Sequence, residues 1–316
     1  MKRYFLGGVS ILMICITLLG VGCAERQPYP SDTTEKLRVA GTIFPVYDLV
    51  RTVGGEYVDT TLILTPGTSP HVFEPTPSVL KNLTDTSIVF AVGLELDDWT
   101  DRLITAYPEI RKVTLDRDIS LHLISEGTDE HDDHDEPEEE EHGEDHHGEF
   151  DPHYWLSPMN AIRMIRTIET ELRALDPDHA SEFAENAATL IREIEAKDIV
   201  WKEDITTLEN RDLVTFHSAF GYFAEHFGLD IITTFEEFPE KEPTPQYLTR
   251  LTEEIREHDI RALYLEPQPS RRSLDAFAHD LGVAIGVLDP LGGVESRMSY
   301  IDLIEYNVRT IIDNTR

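Results

Sequence analysis

The sequence predicts an α/β protein made of two parallel-sheet lobes joined by one long rigid helix. Three observations carry this. Short β-branched runs alternate with helical periods up to about residue 115, and the alternation resumes after about residue 210. Between them, residues 179–209 contain no Gly or Pro. Strands that alternate with helices need a parallel sheet covered on both faces.

The elements follow in order. Residues 1–22 read as an export signal: Lys2 and Arg3, an apolar stretch from Tyr4 to Leu19, then small residues up to Cys23. The peptide Gly20-Val21-Gly22-Cys23 resembles a lipobox, with Gly20 where Leu is usual, so Cys23 is the expected lipidated first residue of an extracytoplasmic protein. An uncleaved anchor is the competing reading. Cys15 lies inside the signal, so a chain starting at Cys23 has no disulfide and no thiolate metal site. Residues 23–36 read as a tether.

The N-terminal lobe spans 37–178. Its predicted strands are Leu37–Thr42, Tyr57–Leu64, Ser87–Val92 and Arg111–Leu115, and its helices Pro45–Val53, Pro77–Leu83, Trp99–Ala106 and Met159–Leu175. From His179 to Glu209, Phe183, Ala187, Leu190, Ile194, Trp201, Ile205 and Leu208 keep helical spacing. A helix of roughly 30 residues runs about 45 Å, which suits a strut between lobes. The C-terminal lobe, 210–316, repeats the rhythm. Its strands are Asp212–Phe216, Asp230–Thr234, Ala262–Leu265 and Val283–Leu288, and its helices Ala219–Phe227, Thr244–Glu257, Ser273–Leu281 and Tyr300–Asp313.

Within the first lobe, residues 126–150 hold His131, His134, His142, His146 and His147 with fourteen carboxylates and no Lys or Arg. Almost nothing there is apolar, so the stretch is expected to be a disordered loop. Imidazole and carboxylate are both ligands for borderline divalent metals, which points to zinc or a neighbour. The run supplies −14 of the −34 net charge. Such an acidic chain is a poor nucleic-acid binder.

Four ordered positions stand out. His71 lies in TPGTSPHVFEPTPS, His153 in DPHYWLSP, His217 just past Leu213–Phe216, and Asp289 just past Leu288. Three of them sit at or beyond the carboxyl ends of predicted strands, where open α/β sheets form ligand crevices. Two come from each lobe, as an interlobe cleft requires. Three imidazoles and a carboxylate make a closed tetrahedral set for Zn²⁺. Singly, each has a bland reading as a loop, cap or turn residue; their joint placement favours a metal site.

The motifs SPHVFEPTPS, DPHYWLSPMNA, VTFHSAFGYFA, EKEPTP, LEPQPS and LDPLGG occur in that order. By them the chain, from about Leu37 to its end, resembles the extracytoplasmic zinc/manganese-binding proteins of metal-uptake ABC transporters. The resemblance implies two α/β lobes linked by one long helix, and His71, His153, His217 and Asp289 as ligands. It also implies a membrane permease as partner. A monomeric protein is expected, and a closed four-ligand site leaves no open position for an activated water, which argues against enzymatic activity. Zinc-type members carry a His- and acid-rich loop ahead of the second ligand, and manganese-type members typically have Glu at the position of His217. Zn²⁺ is therefore the expected cargo, with Mn²⁺ less favoured. Val79 and Val92 depart from the residues usual at their positions. Glu266, after the Leu265 strand, is expected to orient a ligand.

Other chemistry finds no support in the sequence. HExxH, GxSxG and P-loop patterns are missing. A manganese or iron protein of the same type, an adhesin with structural zinc, and a metallohydrolase remain the competing readings.

Overall fold

This computed structural model describes residues 36–124, 149–236, 243–267 and 272–315. The expected signal, the lipidated Cys23, the tether up to Glu35 and the five histidines of the acidic run lie outside the described residues.

The first sheet contains β1 (Leu37–Gly41), β2 (Val58–Leu62), β3 (Ile88–Ala91) and β4 (Arg111–Thr114), in the order β2-β1-β3-β4 and parallel throughout. Val39 and Ala40 of β1 and every residue of β3 are fully buried, as central strands covered on both faces must be. The edge strands β2 and β4 carry Asp59, Arg111 and Lys112 instead. Helices α1 (Phe44–Gly54), α2 (Pro77–Asn82) and α3 (Trp99–Ala106) connect these strands. Pro45 and Pro77 sit in the first turns of α1 and α2, where the missing N–H costs nothing.

After α4 (Pro158–Leu175) and α5 (Ala180–Thr206), the second sheet repeats the first. Strands β5 (Asp212–Thr215), β6 (Asp230–Thr234), β7 (Ala262–Leu265) and β8 (Ala284–Val287) take the order β6-β5-β7-β8, again all parallel. They alternate with α6 (Gly221–Phe227), α7 (Pro245–Glu257), α8 (Arg272–Leu281) and the closing α9 (Tyr300–Thr315). Both sheets reverse their strand order at a central pair, β1/β3 and β5/β7, and crevices open at the carboxyl ends of such pairs. The predicted helix at Ala219 is split: a 3-10 turn at Ser218–Phe220 precedes α6.

Helix α5 has 27 residues and so runs about 40 Å. Its stripe of Phe183, Ala187, Leu190, Ile194, Trp201 and Ile205 is buried. These side chains belong to one core that also holds Val39 and Phe90 of the first sheet and Tyr264 and Ile312 of the second lobe. Polar contacts fix both ends. Asn186 donates to the Val53 carbonyl of α1 (3.1 Å), and the Trp201 indole donates to Glu305 of α9 (2.7 Å). The helix is thus part of a core that both lobes share. No helix among the described residues is long and apolar enough to cross a membrane.

Candidate metal centre

The structure brings together three of the four expected residues. His71 sits on the loop after β2, His153 immediately before a 3-10 turn at Tyr154–Leu156, and His217 two residues past β5. Each offers a ring nitrogen, and the three nitrogens lie within 4.8 Å of one another. Their ring centroids are 5.2–5.8 Å apart. His153 and His217 are buried, while His71 is exposed and forms the solvent side of the group. Ligand nitrogens on one tetrahedral Zn²⁺ are about 3.3 Å apart, so small side-chain rotations would close the set.

Two carboxylates back the imidazoles. Asp151 Oδ1 lies 2.7 Å from His153 Nδ1 and also accepts the His153 backbone N–H at 2.9 Å. Glu266 packs against Nδ1 of His217. Sheet register explains the second pair: Thr215 of β5 is paired with Tyr264 of β7, and two residues further on that places His217 beside Glu266. With Nδ1 held this way, Nε2 is the nitrogen each ring has left for a cation. The Nε2 of His217 is buried and has no hydrogen-bond partner. A buried polar atom left unpaired costs stability, so this orphan is an observation that a bound cation would account for. Burial pushes the His217 imidazole pKa down, but the charge of Glu266 and its hydrogen bond outweigh that and hold it above its usual value.

Asp151 is itself held by a stem. Leu123 and Phe150 form an antiparallel bridge, Ile124 N–H donates to Glu149 O (3.1 Å), and Asp151 N–H donates to His122 O (2.9 Å). The stem is clasped from the second lobe. Tyr222 of α6 stacks on the His122 ring (3.9 Å between centroids), accepts the His122 backbone N–H (2.9 Å) and donates to Asp151 O (3.2 Å). His122 Nε2 lies 2.7 Å from Glu225. A further wall is Trp155, whose ring centroid is 5.3 Å from that of His153 and whose indole donates to Pro290 O at 2.7 Å.

Asp289, the fourth expected ligand, stands outside the group of three. It is buried, and Arg297 Nε lies 3.0 Å from its Oδ2. Its Oδ1 accepts the backbone N–H groups of Leu291 (2.9 Å) and Gly292 (3.0 Å). The sequence reading did not single out Asp151, Tyr222 or Arg297. Asp151 had a signal, since it stands two residues before His153 in DPH. Arg297 had none, because only the fold brings it to Asp289.

The profile of the zinc-uptake complex component A family, periplasmic, matches residues 39–314. The chain belongs to that family. It is 29% identical over 315 residues to the zinc-binding lipoprotein AdcA of Streptococcus pneumoniae serotype 4, an alignment that covers 97% of this chain and 61% of AdcA. The chain therefore spans about three-fifths of that relative. It is 26% identical to the manganese-binding lipoprotein MntA of Halalkalibacterium halodurans, with 96% of each chain covered. A crystal structure of ZnuA superposes with a TM-score of 0.77 at 23% identity, covering 89% of this chain and all of that one, which bears on the fold. The Zn(II)-bound AdcA of S. pneumoniae gives 0.71 at 26% identity, over 89% of this chain and 58% of that one. The expected α/β architecture of two parallel sheets thus agrees with that of the family.

Proposed function

We propose that this protein captures Zn²⁺ outside the cell and delivers it to the membrane permease of an ABC transporter. The observation that supports this best is the convergence of His71, His153 and His217 from both lobes, with the buried Nε2 of His217 unpartnered. Imidazole donors suit Zn²⁺, and a fourth protein donor would close the set and leave no position for an activated water. Asp289 is the fourth donor in this reading, shared with Arg297. The histidine-rich run serves as a low-affinity accessory collector. The names of the AdcA relatives agree with the zinc reading.

A second reading is Mn²⁺ as cargo. It is favoured by the end-to-end match to a manganese-binding lipoprotein. The test is calorimetric titration of the protein with Zn²⁺ and with Mn²⁺, repeated on His153→Ala, on His217→Ala and on a chain lacking residues 126–149. Tight Zn²⁺ binding that either alanine removes and that survives the deletion is the expected result. A tight site lost with the deletion, or preference for Mn²⁺, overturns the reading.

A further inference from the structure

We propose that Arg297 sets metal selectivity by withholding Asp289 from hard, oxygen-seeking cations; this rests on the reading of the three-histidine site as a metal-capture site.

Little of Asp289 is available to a cation. Its backbone is pinned by Asn307, which accepts the Asp289 N–H at Oδ1 (2.8 Å) and donates from Nδ2 to the Asp289 carbonyl (2.8 Å). Its Oδ1 is committed to the N–H groups of Leu291 and Gly292. Only Oδ2 remains, and Arg297 Nε is 3.0 Å from it, near enough for an ion pair but out of line for a hydrogen bond. Arg297 is not a passing surface residue. Its side chain is 14% exposed, its guanidinium sits 4.2 Å over the Tyr306 ring, and its backbone closes a turn with Gly293 and Val294. A desolvated guanidinium has no neutral form to retreat to.

Two consequences follow for an entering cation. Asp289 can offer one oxygen at most, so bidentate carboxylate coordination is closed off. The charge of that oxygen is also offset by a fixed cation. Zn²⁺, satisfied by three imidazoles and one further donor, loses little. Mn²⁺ sits on the carboxylate and water side of ligand preference and depends on the oxygen donor and its charge. The Arg297–Asp289 pair therefore penalises Mn²⁺ more than Zn²⁺.

The experiment is competitive titration of Zn²⁺ against Mn²⁺ in the full chain as wild type, Arg297→Met, Arg297→Lys, Asp289→Asn and the Arg297→Met/Asp289→Asn pair, with circular dichroism to confirm folding. Arg297→Met is expected to lower the Zn²⁺:Mn²⁺ affinity ratio about tenfold or more, in the range that outer residues exert on metal affinity. Arg297→Lys should keep most of the wild-type ratio, and adding Asp289→Asn should restore it. Should Arg297→Met not fold, Tyr306→Leu, which removes the platform beneath the guanidinium, carries the same prediction at smaller size. An unchanged ratio in a folded Arg297→Met (or, failing that, Tyr306→Leu) protein overturns the inference, as does a shift that persists without Asp289. Failure of the wild type to bind Zn²⁺ would instead overturn the reading on which the inference rests.

Discussion

Asp151 holds His153 twice with one oxygen: Oδ1 accepts the backbone N–H at 2.9 Å and sits 2.7 Å from the ring Nδ1. One buried carboxylate thus fixes both the main chain and the ring orientation of a proposed ligand. Such partners typically change metal affinity by about 10–100-fold when lost. Asp151→Asn keeps the shape but removes the charge and admits the wrong amide rotamer. Zn²⁺ affinity, measured against a competing chelator, should fall by about tenfold or more while circular dichroism stays native. Unaltered affinity would mean that Asp151 only shapes the loop.

Tyr222 is the point where the second lobe reaches that dyad. Its hydroxyl accepts from His122 N–H and donates to Asp151 O. Tyr222→Phe keeps the ring stacked on His122 but leaves two backbone groups unpaired, a cost of about 1–2 kcal/mol. Thermal unfolding should shift down accordingly. Zn²⁺ affinity should drop less than in Asp151→Asn, because the carboxylate contact to His153 remains.

Acid should weaken the contacts of α5 with α6 and α9. Burial pushes the Asp198 carboxyl up, but hydrogen bonds from His226 and Lys202 outweigh this and hold its pKa below the usual carboxylate range. Glu305 is likewise lowered by Trp201, Arg309 and Lys197 against the effect of its burial. A depressed folded pKa means the stabilisation is complete above the unfolded value of roughly 4 and is lost as pH falls through the folded value. Asp198→Asn should therefore be less stable than wild type at pH 7, by about 1 kcal/mol. The gap should close as pH falls through the lowered folded pKa of Asp198. Urea unfolding of both proteins at neutral and acidic pH checks this, and a gap independent of pH would remove the charge from the explanation.

Local patterning makes much of the scaffold readable from the sequence. The boundaries of the Trp99–Ala106 helix and the Asp230–Thr234 and Ala262–Leu265 strands are as the sequence predicts. Those elements are bounded by strong local signals, whereas Ala219 begins a helix by periodicity and finds a 3-10 turn instead. There the chain must deliver His217 to the cleft, and Gly221 must pass close to the Asp151 carboxylate, where a Cβ would come within 3.2 Å. Tertiary demand overrides propensity at that point. His71, His153 and His217 were legible because each follows a strand or a Pro-rich turn that local sequence marks. The partner of Asp289 was not, since no local rule ties residue 289 to a guanidinium eight positions on through a folded turn.

The turn that carries Arg297 depends on a glycine. Gly293 has φ +77°, and a Cβ there would lie 2.9 Å from ring atoms of Phe44 and 3.0 Å from Pro66. Gly67 has φ +84° but nothing within 4 Å of its would-be Cβ. Both positions cost an alanine about 1 kcal/mol for the left-handed backbone. Only Gly293→Ala must also push Phe44, a buried side chain at the start of α1, and strain the Gly293 N–H bond to Arg297 O (2.9 Å). Gly67→Ala should therefore lose about 1 kcal/mol by urea unfolding, and Gly293→Ala a further 1–3 kcal/mol, in the range of overpacked cores. Because the strained bond closes the turn that presents Arg297, Gly293→Ala should also alter the Zn²⁺:Mn²⁺ ratio, a readout that packing damage remote from Asp289 would leave unmoved. Equal losses in the two variants would show that the Phe44 contact yields without cost and that the turn is not what places Arg297.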